Sequence, residues 1–465
     1  MDHRAPNAPL PQRALLLAIM LPVWLAAIDT AIANTALPRI AADLAIQPAQ
    51  AIWVINAYQL AIVATLLPLA ASGQHWGERR VFLIGVAVFC VASLLCSVVS
   101  SLAALTAARA LQGLGASAIM AVNLALVRRI YPPEHLGRGV GLNAFVVGMG
   151  YTSGPSLAAL ILSVADWPWL FAINVPLCLW AAHLGLRRLP QREHTPTQPF
   201  DLPLAALTAL TLGAALWALT HTAQGSEGRW VLGLVTLSAV SAVAMLRRQR
   251  GHAQPMWPAD LLRLPPFALS VLTSVSSFAT QGLAFVGLPF FFEQQLRRAP
   301  VDTGLLLSIW ALTVALTGPW AGRWSDRVRP AVLGSCGLLM LAAGMGLLAA
   351  LGPSASFTDI AWRMAWCGLG FGLFQSPNLK AILSSSPRSR SSGASGMIAL
   401  ARLSGQTTGA ALVALCFGWW ASDGPQAALW LGCATATFGA TVSAARLRFN
   451  AHMSPTPQPQ QETPP

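Results

Sequence analysis

Ala14-Leu-Leu-Leu-Ala-Ile-Met-Leu-Pro-Val-Trp-Leu-Ala-Ala-Ile-Asp29-Thr-Ala-Ile-Ala-Asn-Thr-Ala-Leu-Pro38 is an apolar run with one carboxylate inside it. A membrane-spanning helix needs roughly 20 mostly apolar residues, and residues 14–37 supply them. The run is followed by many others of the same kind, so it reads as a first span rather than a cleaved leader. A charge at mid-bilayer costs about 2.5–3.5 kcal/mol on insertion scales, which a protein bears where the group faces a cavity or a partner. Asp29 is the only carboxylate that the reading places well inside a span. Two uses stay open for it. It carries a proton, recognises a cation, or does both; alternatively it is a helix-end polar residue that fixes the turn before Pro38. Asn34 lies five residues on, off that face, and reads as structural.

The whole chain repeats this character. Its 465 residues are 55% hydrophobic and only 10% charged, whereas soluble domains carry about 25% charged residues. Fourteen spans are expected. Six run over about 14–37, 51–72, 81–99, 102–127, 138–164 and 168–186; two shorter ones cover 203–221 and 230–246; six more cover 267–292, 303–322, 330–351, 358–380, 392–418 and 425–445. The expected fold is an all-α membrane protein of two six-helix bundles plus two extra central helices. Its segments are a cytoplasmic N-terminus (1–13), a first bundle (14–186), a linker with the extra pair (187–266), a second bundle (267–446) and a Pro/Gln-rich disordered tail (447–465). The extra pair is the weakest part of this map, a surface location being its alternative.

The net charge of +13 does not point to nucleic acid, whose binders cluster their charge on one face. Here the basic residues form small groups between apolar runs. With the N-terminus inside, the cytoplasmic segments hold Arg79, Arg80, Arg128, Arg129, Arg187, Arg188, Arg247, Arg248, Arg323, Arg327, Arg446 and many others, while the outside holds Arg39, Arg229, Arg297, Arg298 and Arg363. This is the positive-inside bias, and it predicts both termini in the cytoplasm. Arg109 and Arg402 fall inside spans. An arginine cannot neutralise itself by losing a proton, so each needs acceptors. Gln112 and Gly113 lie at i+3 and i+4 from Arg109, on its side of the helix. Arg109 is read as a fixed charge tuning a neighbouring acid, or as a structural hydrogen-bonding hub; Arg402, beside Gly405 and Gln406, is open between the same two. The seven cysteines form no CxxC pair and read as small core hydrophobes. No Gly-x-x-x-x-Gly-Lys loop and no metal-ligand spacing occur, so neither direct ATP use, a metal nor any cofactor is expected.

An internal repeat is visible. Gly73-Gln-His-Trp-Gly-Glu-Arg-Arg80 after the second span and Gly322-Arg-Trp-Ser-Asp-Arg-Val-Arg329 after the tenth are short basic turns, each two helices into a six-helix block. Duplicated blocks are typical of secondary transporters, with the binding site between them. In this context Ile28-Asp-Thr-Ala-Ile-Ala-Asn-Thr-Ala-Leu-Pro38, Ala108-Arg-Ala-Leu-Gln-Gly-Leu-Gly115, Gly150-Tyr-Thr-Ser-Gly-Pro-Ser-Leu-Ala-Ala159 and Trp167-Pro-Trp-Leu-Phe-Ala-Ile-Asn-Val-Pro176 resemble, in order, motifs of the major facilitator superfamily, specifically its fourteen-helix drug:proton antiporter branch. The resemblance covers about residues 14–446. It implies a proton-coupled exporter of the bacterial inner membrane, working by alternating access on amphipathic drugs, dyes or antiseptics, cationic ones among them. Its partners would be the lipid bilayer, the substrate and protons; a monomer is compatible with it. It also implies that Gly150, Gly154 and Pro155 form the antiporter-type motif, with Gly148 helping close helix contact. Where the loop motif has an aspartate this chain has Gln74, and Glu78 stands at a usually basic position; Gly77, Arg79 and Arg80 remain. The second copy keeps Asp326 and Arg327. The resulting expectation is an asymmetric cytoplasmic gate with Asp326 bearing more of the closing interaction. Trp53, Gln59, Gln281, Gln375 and Asn378 are candidates to line a cavity, each also readable as packing. Phe278, Phe285, Phe290, Phe291 and Phe292 read more safely as core or lipid-facing than as a pocket. A transporter of one native metabolite and a transport-inactive sensor or scaffold are the rival readings.

Overall fold

The structure, a computed structural model, describes residues 13–131, 136–190, 200–223, 228–250, 257–387, 391–420 and 423–449. Expectations for the N-terminal segment before Arg13, for the Gln191–Pro199 part of the linker and for the tail beyond Phe449 lie outside the described residues. Fourteen long helices follow the expected order. The first six are α1 (Arg13–Asp43), α2 (Trp53–Trp76), α3 (Glu78–Val98), α4 (Leu102–Ile130), α5 (Leu136–Val164) and α6 (Asn174–Arg188). The added pair is α7 (Leu202–Ala223) and α8 (Gly228–Arg248). The last six are α9 (Pro265–Phe290), α10 (Pro300–Trp324), α11 (Pro330–Ala349), α12 (Phe357–Ser384), α13 (Ser391–Trp419) and α14 (Gly424–Ala445). Thirteen spans among the described residues are long and apolar enough to cross a membrane. The helix outside that set is α12, which carries Asp359, Arg363 and Lys380 along with Gln375 and Asn378.

Local chemistry explains the boundaries. α9, α10, α11 and α14 begin with a proline in the first turn, where its missing N–H leaves no helical bond unmade. Ser101 and Ser356 cap α4 and α12 by accepting from the backbone N–H of Ala104 and Asp359. The α2–α3 turn is a single residue, Gly77, at φ 91°, a conformation that favours glycine. Two expected spans differ in detail. The sixth opens with a separate turn, Trp169–Ala172, before α6. The ninth does not stop at Phe292 but continues as a π-helical turn, Phe291–Gln295, which draws Glu293 into the bundle.

α1–α6 pack as one bundle and α9–α14 as another. The fifth helix of each rests on the second helix of the other: α5 on α10, and α13 on α2, with α1 also meeting α9. This exchange-symmetric seam is the architecture of duplicated transporters. α7 lies across the seam against α2 and α13, and α8 packs on α7 with most of its surface exposed. The pair is therefore helical and of spanning length, as the sequence map had it. Exposed Val98, Leu160, Val164, Val240 and Leu316 form the apolar exterior expected of lipid contact.

Phe278, Phe285, Phe290, Phe291 and Phe292 of the ninth span are all buried, with Phe278 against Phe371, Phe285 against Trp310 and Phe290 against Phe417. They are core. All seven cysteines are free; Cys336 is exposed and Cys433 half-exposed, so these two correct the reading of every cysteine as core. A Cβ on Gly148 would meet nothing within 4 Å, so Gly148 is not a close-contact residue. Gly150 and Gly154 are: added Cβ atoms would come 2.8 Å and 2.4 Å from Cβ of Ala27 and Ala31 on α1. Next to them, the Pro155 carbonyl faces Gly304 of α10.

A buried carboxylate–guanidinium cluster as candidate functional site

Asp29 and Arg109 meet in the middle of the first bundle. Asp29 is 1% exposed and Arg109 is 0% exposed. Arg109 Nη1 donates to Asp29 Oδ2 and also to Gln112 Oε1 at 2.5 Å. Gln112 Nε2 donates to Asp29 Oδ1 at 2.9 Å and to Ser93 Oγ at 2.9 Å. Asn174 Nδ2, from α6, is the third donor to the carboxylate and the second to Oδ1, at 3.1 Å. Arg109 Nε donates to the Val54 carbonyl at 3.0 Å. The guanidinium carbon sits 4.2 Å from the Tyr58 ring centroid and 5.4 Å from that of Phe171, so two π faces share its charge. Five helices, α1, α2, α3, α4 and α6, thus converge on one ion pair.

The arrangement has a chemical consequence. Arg109 keeps Val54, Gln112 and the rings whatever the state of Asp29. A proton on Asp29 removes only the carboxylate's charge, and with it the strongest tie between α1 and α4. α1 in turn contacts α5 through Gly150 and Gly154 and reaches α9 in the other bundle. One buried ion pair therefore ties α4 to the helix that touches both the Gly150–Gly154 face of α5 and the seam. Because Asp29 points into its own bundle, direct recognition of a cationic substrate is not what this geometry offers.

The other expected residues lie elsewhere. Arg402 does not join the cluster; it is half-buried on α13, its guanidinium carbon 5.9 Å from the Tyr151 ring centroid on α5. Gln59 accepts from Thr407 Oγ1 across the seam at 3.1 Å, and Gln281 Oε1 accepts from Gln406 Nε2 at 2.9 Å. Trp53 faces α7 instead, its ring 5.6 Å from His221. Gln375 is half-buried. Asn378, read as a cavity candidate, is spent on structure: 1% exposed, it donates to Ser274 Oγ and the Ser270 carbonyl and accepts from Arg446. Arg446, just past α14, is itself 2% exposed and held by Ser270, Asn378 and Ser443.

The two basic turns also differ from expectation. The side chain of Gln74 lies outside the described residues. Glu78, beginning α3, is buried and pairs with Arg129 at the end of α4. Asp326 pairs with Lys380 near the end of α12 at 2.5 Å, its side chain 70% exposed. The first turn has therefore not lost its acid but moved it, and its pair is the more buried. Each pair stays within one bundle, so neither ties the bundles together here. Arg79 donates to the Leu186 carbonyl at 2.8 Å, while Arg80 and Arg327 are exposed.

Sequence reasoning missed Asn174, Ser93 and Tyr58 around Asp29, the Glu78–Arg129 pair and Glu293. Asn174 stood in a quoted motif as the polar residue of an apolar run, which was the available signal. Glu293 Oε1 is buried with no hydrogen-bond partner, and the charge acting on it is Arg39 of α1.

Comparison with known proteins agrees with this architecture. The family profile described as Major Facilitator Superfamily matches residues 19–410. The chain is 46% identical over 446 residues to the uncharacterized transporter YebQ of Escherichia coli, covering 96% of this chain and 98% of that protein. It is 30% identical to the riboflavin transporter RibZ of Clostridioides difficile, covering 80% of this chain and 81% of the other. It is 28% identical to the multidrug resistance protein Stp of Mycobacterium tuberculosis, covering 88% and 77%. Among solved structures, a POT family transporter in complex with a thioalcohol-conjugated peptide superposes with a TM-score of 0.73 at 13% identity, covering 95% of this chain and 98% of that one.

Proposed function

The chain belongs to the major facilitator superfamily and is a multi-pass membrane transporter, and from that premise we propose that it is a proton-coupled exporter of small amphipathic molecules in the bacterial inner membrane, with both termini cytoplasmic. The observation that carries the reading is the Asp29–Arg109–Gln112–Asn174 cluster: a carboxylate buried in the membrane-spanning core, opposite a permanent charge that keeps other partners when the carboxylate is neutral. A scaffold has no use for that expense. In the proposed cycle, proton uptake by Asp29 loosens α1 from α4, and proton loss restores the tie. The driving force is the proton gradient plus the potential, the latter worth about 2.3 kcal/mol per charge per 100 mV. Similarity to multidrug resistance protein Stp supports export of several compounds; similarity to the riboflavin transporter RibZ supports a second reading, one native metabolite.

The test uses everted membrane vesicles from a host stripped of its own efflux pumps. They are energised with lactate and offered amphipathic dyes of both charge signs, with and without a protonophore. Gradient-dependent uptake that needs the gene, and that Asp29→Asn removes at matched expression, is the expected result. Uptake indifferent to the protonophore contradicts proton coupling. Uptake restricted to one compound favours the single-metabolite reading.

A further inference from the structure

The seam between the bundles holds an arginine at mid-helix that has no counter-ion among the described residues. α5 spans 136–164, the ninth helix with its π-turn 265–295 and α13 391–419. Tyr151, Gln281, Arg402 and Gln406 therefore lie near the middles of three helices, one from the first bundle and two from the second. Near the bilayer midplane at the repeat interface is where substrate sites of duplicated transporters form.

Arg402 rests over the Tyr151 ring, and its Nε is buried with no hydrogen-bond partner. Gln406 lies one turn further along the same face and is 6% exposed. Its Nε2 is fixed by Gln281 at 2.9 Å, while its Oε1 is buried without a partner. Among the described residues no carboxylate pairs with Arg402, and the mid-membrane carboxylate that does exist, Asp29, is already held by Arg109, Gln112 and Asn174. The seam thus presents an unmet cationic donor, an unmet acceptor and an aromatic face together. Leaving the buried Nε of a half-buried arginine without an acceptor is costly, and an intramembrane ionisable group marks a functional site by default.

We propose that Arg402, Gln406 and Tyr151 form a midplane recognition site for a small aromatic anion. Arg402 N–H groups donate to a carboxylate or a similar planar oxyanion, the Tyr151 ring stacks on the aromatic body, and Gln406 Oε1 accepts from a substrate N–H or O–H. This rests on the exporter reading and adds the sign of the substrate's charge, which is opposite to the cationic drugs that the sequence resemblance implies. Export of a monoanion against one proton moves two charges in the direction favoured by an inside-negative potential, whereas export of a monocation against one proton moves none.

The experiment is equilibrium binding to the full chain in nanodiscs, read by fluorescence anisotropy. Fluorescein, an anion, is compared with rhodamine 6G, a cation built on the same tricyclic ring system. Fluorescein is expected to bind and rhodamine 6G not to displace it. Arg402→Gln is expected to weaken fluorescein binding on the order of 10- to 100-fold, with Arg402→Lys between, since lysine keeps the charge but not the planar fork. Tyr151→Leu, on the other bundle, should weaken it several-fold and carries the test if Arg402→Gln does not fold. Absence of fluorescein binding, equal or tighter binding of rhodamine 6G, or unchanged affinity in the folded variants overturns the proposal. Because binding needs no gradient, its loss is separable from loss of coupling: intact binding with gradient-independent transport would count against proton coupling alone.

Discussion

The two bundles share a frame and differ in what they bury. Each turn between second and third helices ties an acid to a base near the end of the fourth: Glu78 to Arg129 in the first bundle, Asp326 to Lys380 in the second. Each bundle also buries an arginine. In the first, Arg109 faces a carboxylate at mid-helix; in the second, Arg446 sits at a helix end among serine and asparagine. An arginine held by neutral groups has no proton to exchange and acts as a staple across α9, α12 and α14. An arginine opposite a carboxylate has a partner whose charge can be switched. The duplication thus supplied the frame twice, and the buried carboxylate–guanidinium pair occupies one copy.

The largest effects should follow from breaking the first pair. Arg109→Ala strands Asp29 as an uncompensated buried charge, and removal of one partner of such a pair costs about 3–5 kcal/mol. Its apparent Tm in detergent should fall far below that of the wild type, and Arg109→Lys should be milder. Asp29→Asn keeps the shape and strands no carboxylate, so it should insert normally yet lose gradient-driven transport. If Arg109→Ala melts like the wild type, the pair is not what organises this bundle.

The staple should be less sensitive. Arg446→Ala leaves polar neutral groups unpaired rather than a charge, at about 1–3 kcal/mol, and transport per folded molecule should persist. A complete loss of transport at normal stability would give Arg446 a role that the comparison denies it. Glycines give a contrast inside one helix, α5. Gly154→Ala pushes a methyl into Ala31 and should cost about 1–3 kcal/mol, whereas Gly148→Ala meets open space and should stay within about 0.5 kcal/mol; thermal melts of the two decide it.

Smallest are the turn pairs. Exposed ion pairs contribute about 0–1 kcal/mol. The Asp326 side chain is 70% exposed and that of Glu78 is 11% exposed, so Glu78→Gln should lower transport and stability more than Asp326→Asn. The reverse order would restore the gate with Asp326 dominant that the turn motifs alone suggest.

What could be read from sequence follows from range. Span lengths and order are set by apolar runs, because hydrocarbon imposes a length on each helix separately. Asp29 and Arg109 stood out because a charge inside such a run carries a cost of its own, and Gln112 followed from helical spacing. Asn174 of α6 bonds Asp29 directly and Ser93 of α3 holds Gln112, and no local period brings either of them to the pair. Glu78 was read by its slot in a motif, where it looked foreign; its partner Arg129 lies 51 residues on and only packing joins them. Arg446 was counted among loop charges, and burial at the end of α14 follows from α9 and α12 folding over it. Glu293 fell one residue past an expected boundary, since a π-turn has no apolar signature.

The most direct test of the central claim separates exchange from coupling in proteoliposomes containing the Asp29→Asn variant, using whichever dye the vesicle panel identifies. If Asp29 is the proton carrier, the variant should still exchange internal for external dye at equilibrium, because binding and rocking remain, but should fail to concentrate dye when a proton gradient is imposed. Gradient-driven accumulation at the wild-type rate would contradict the account and place the proton elsewhere.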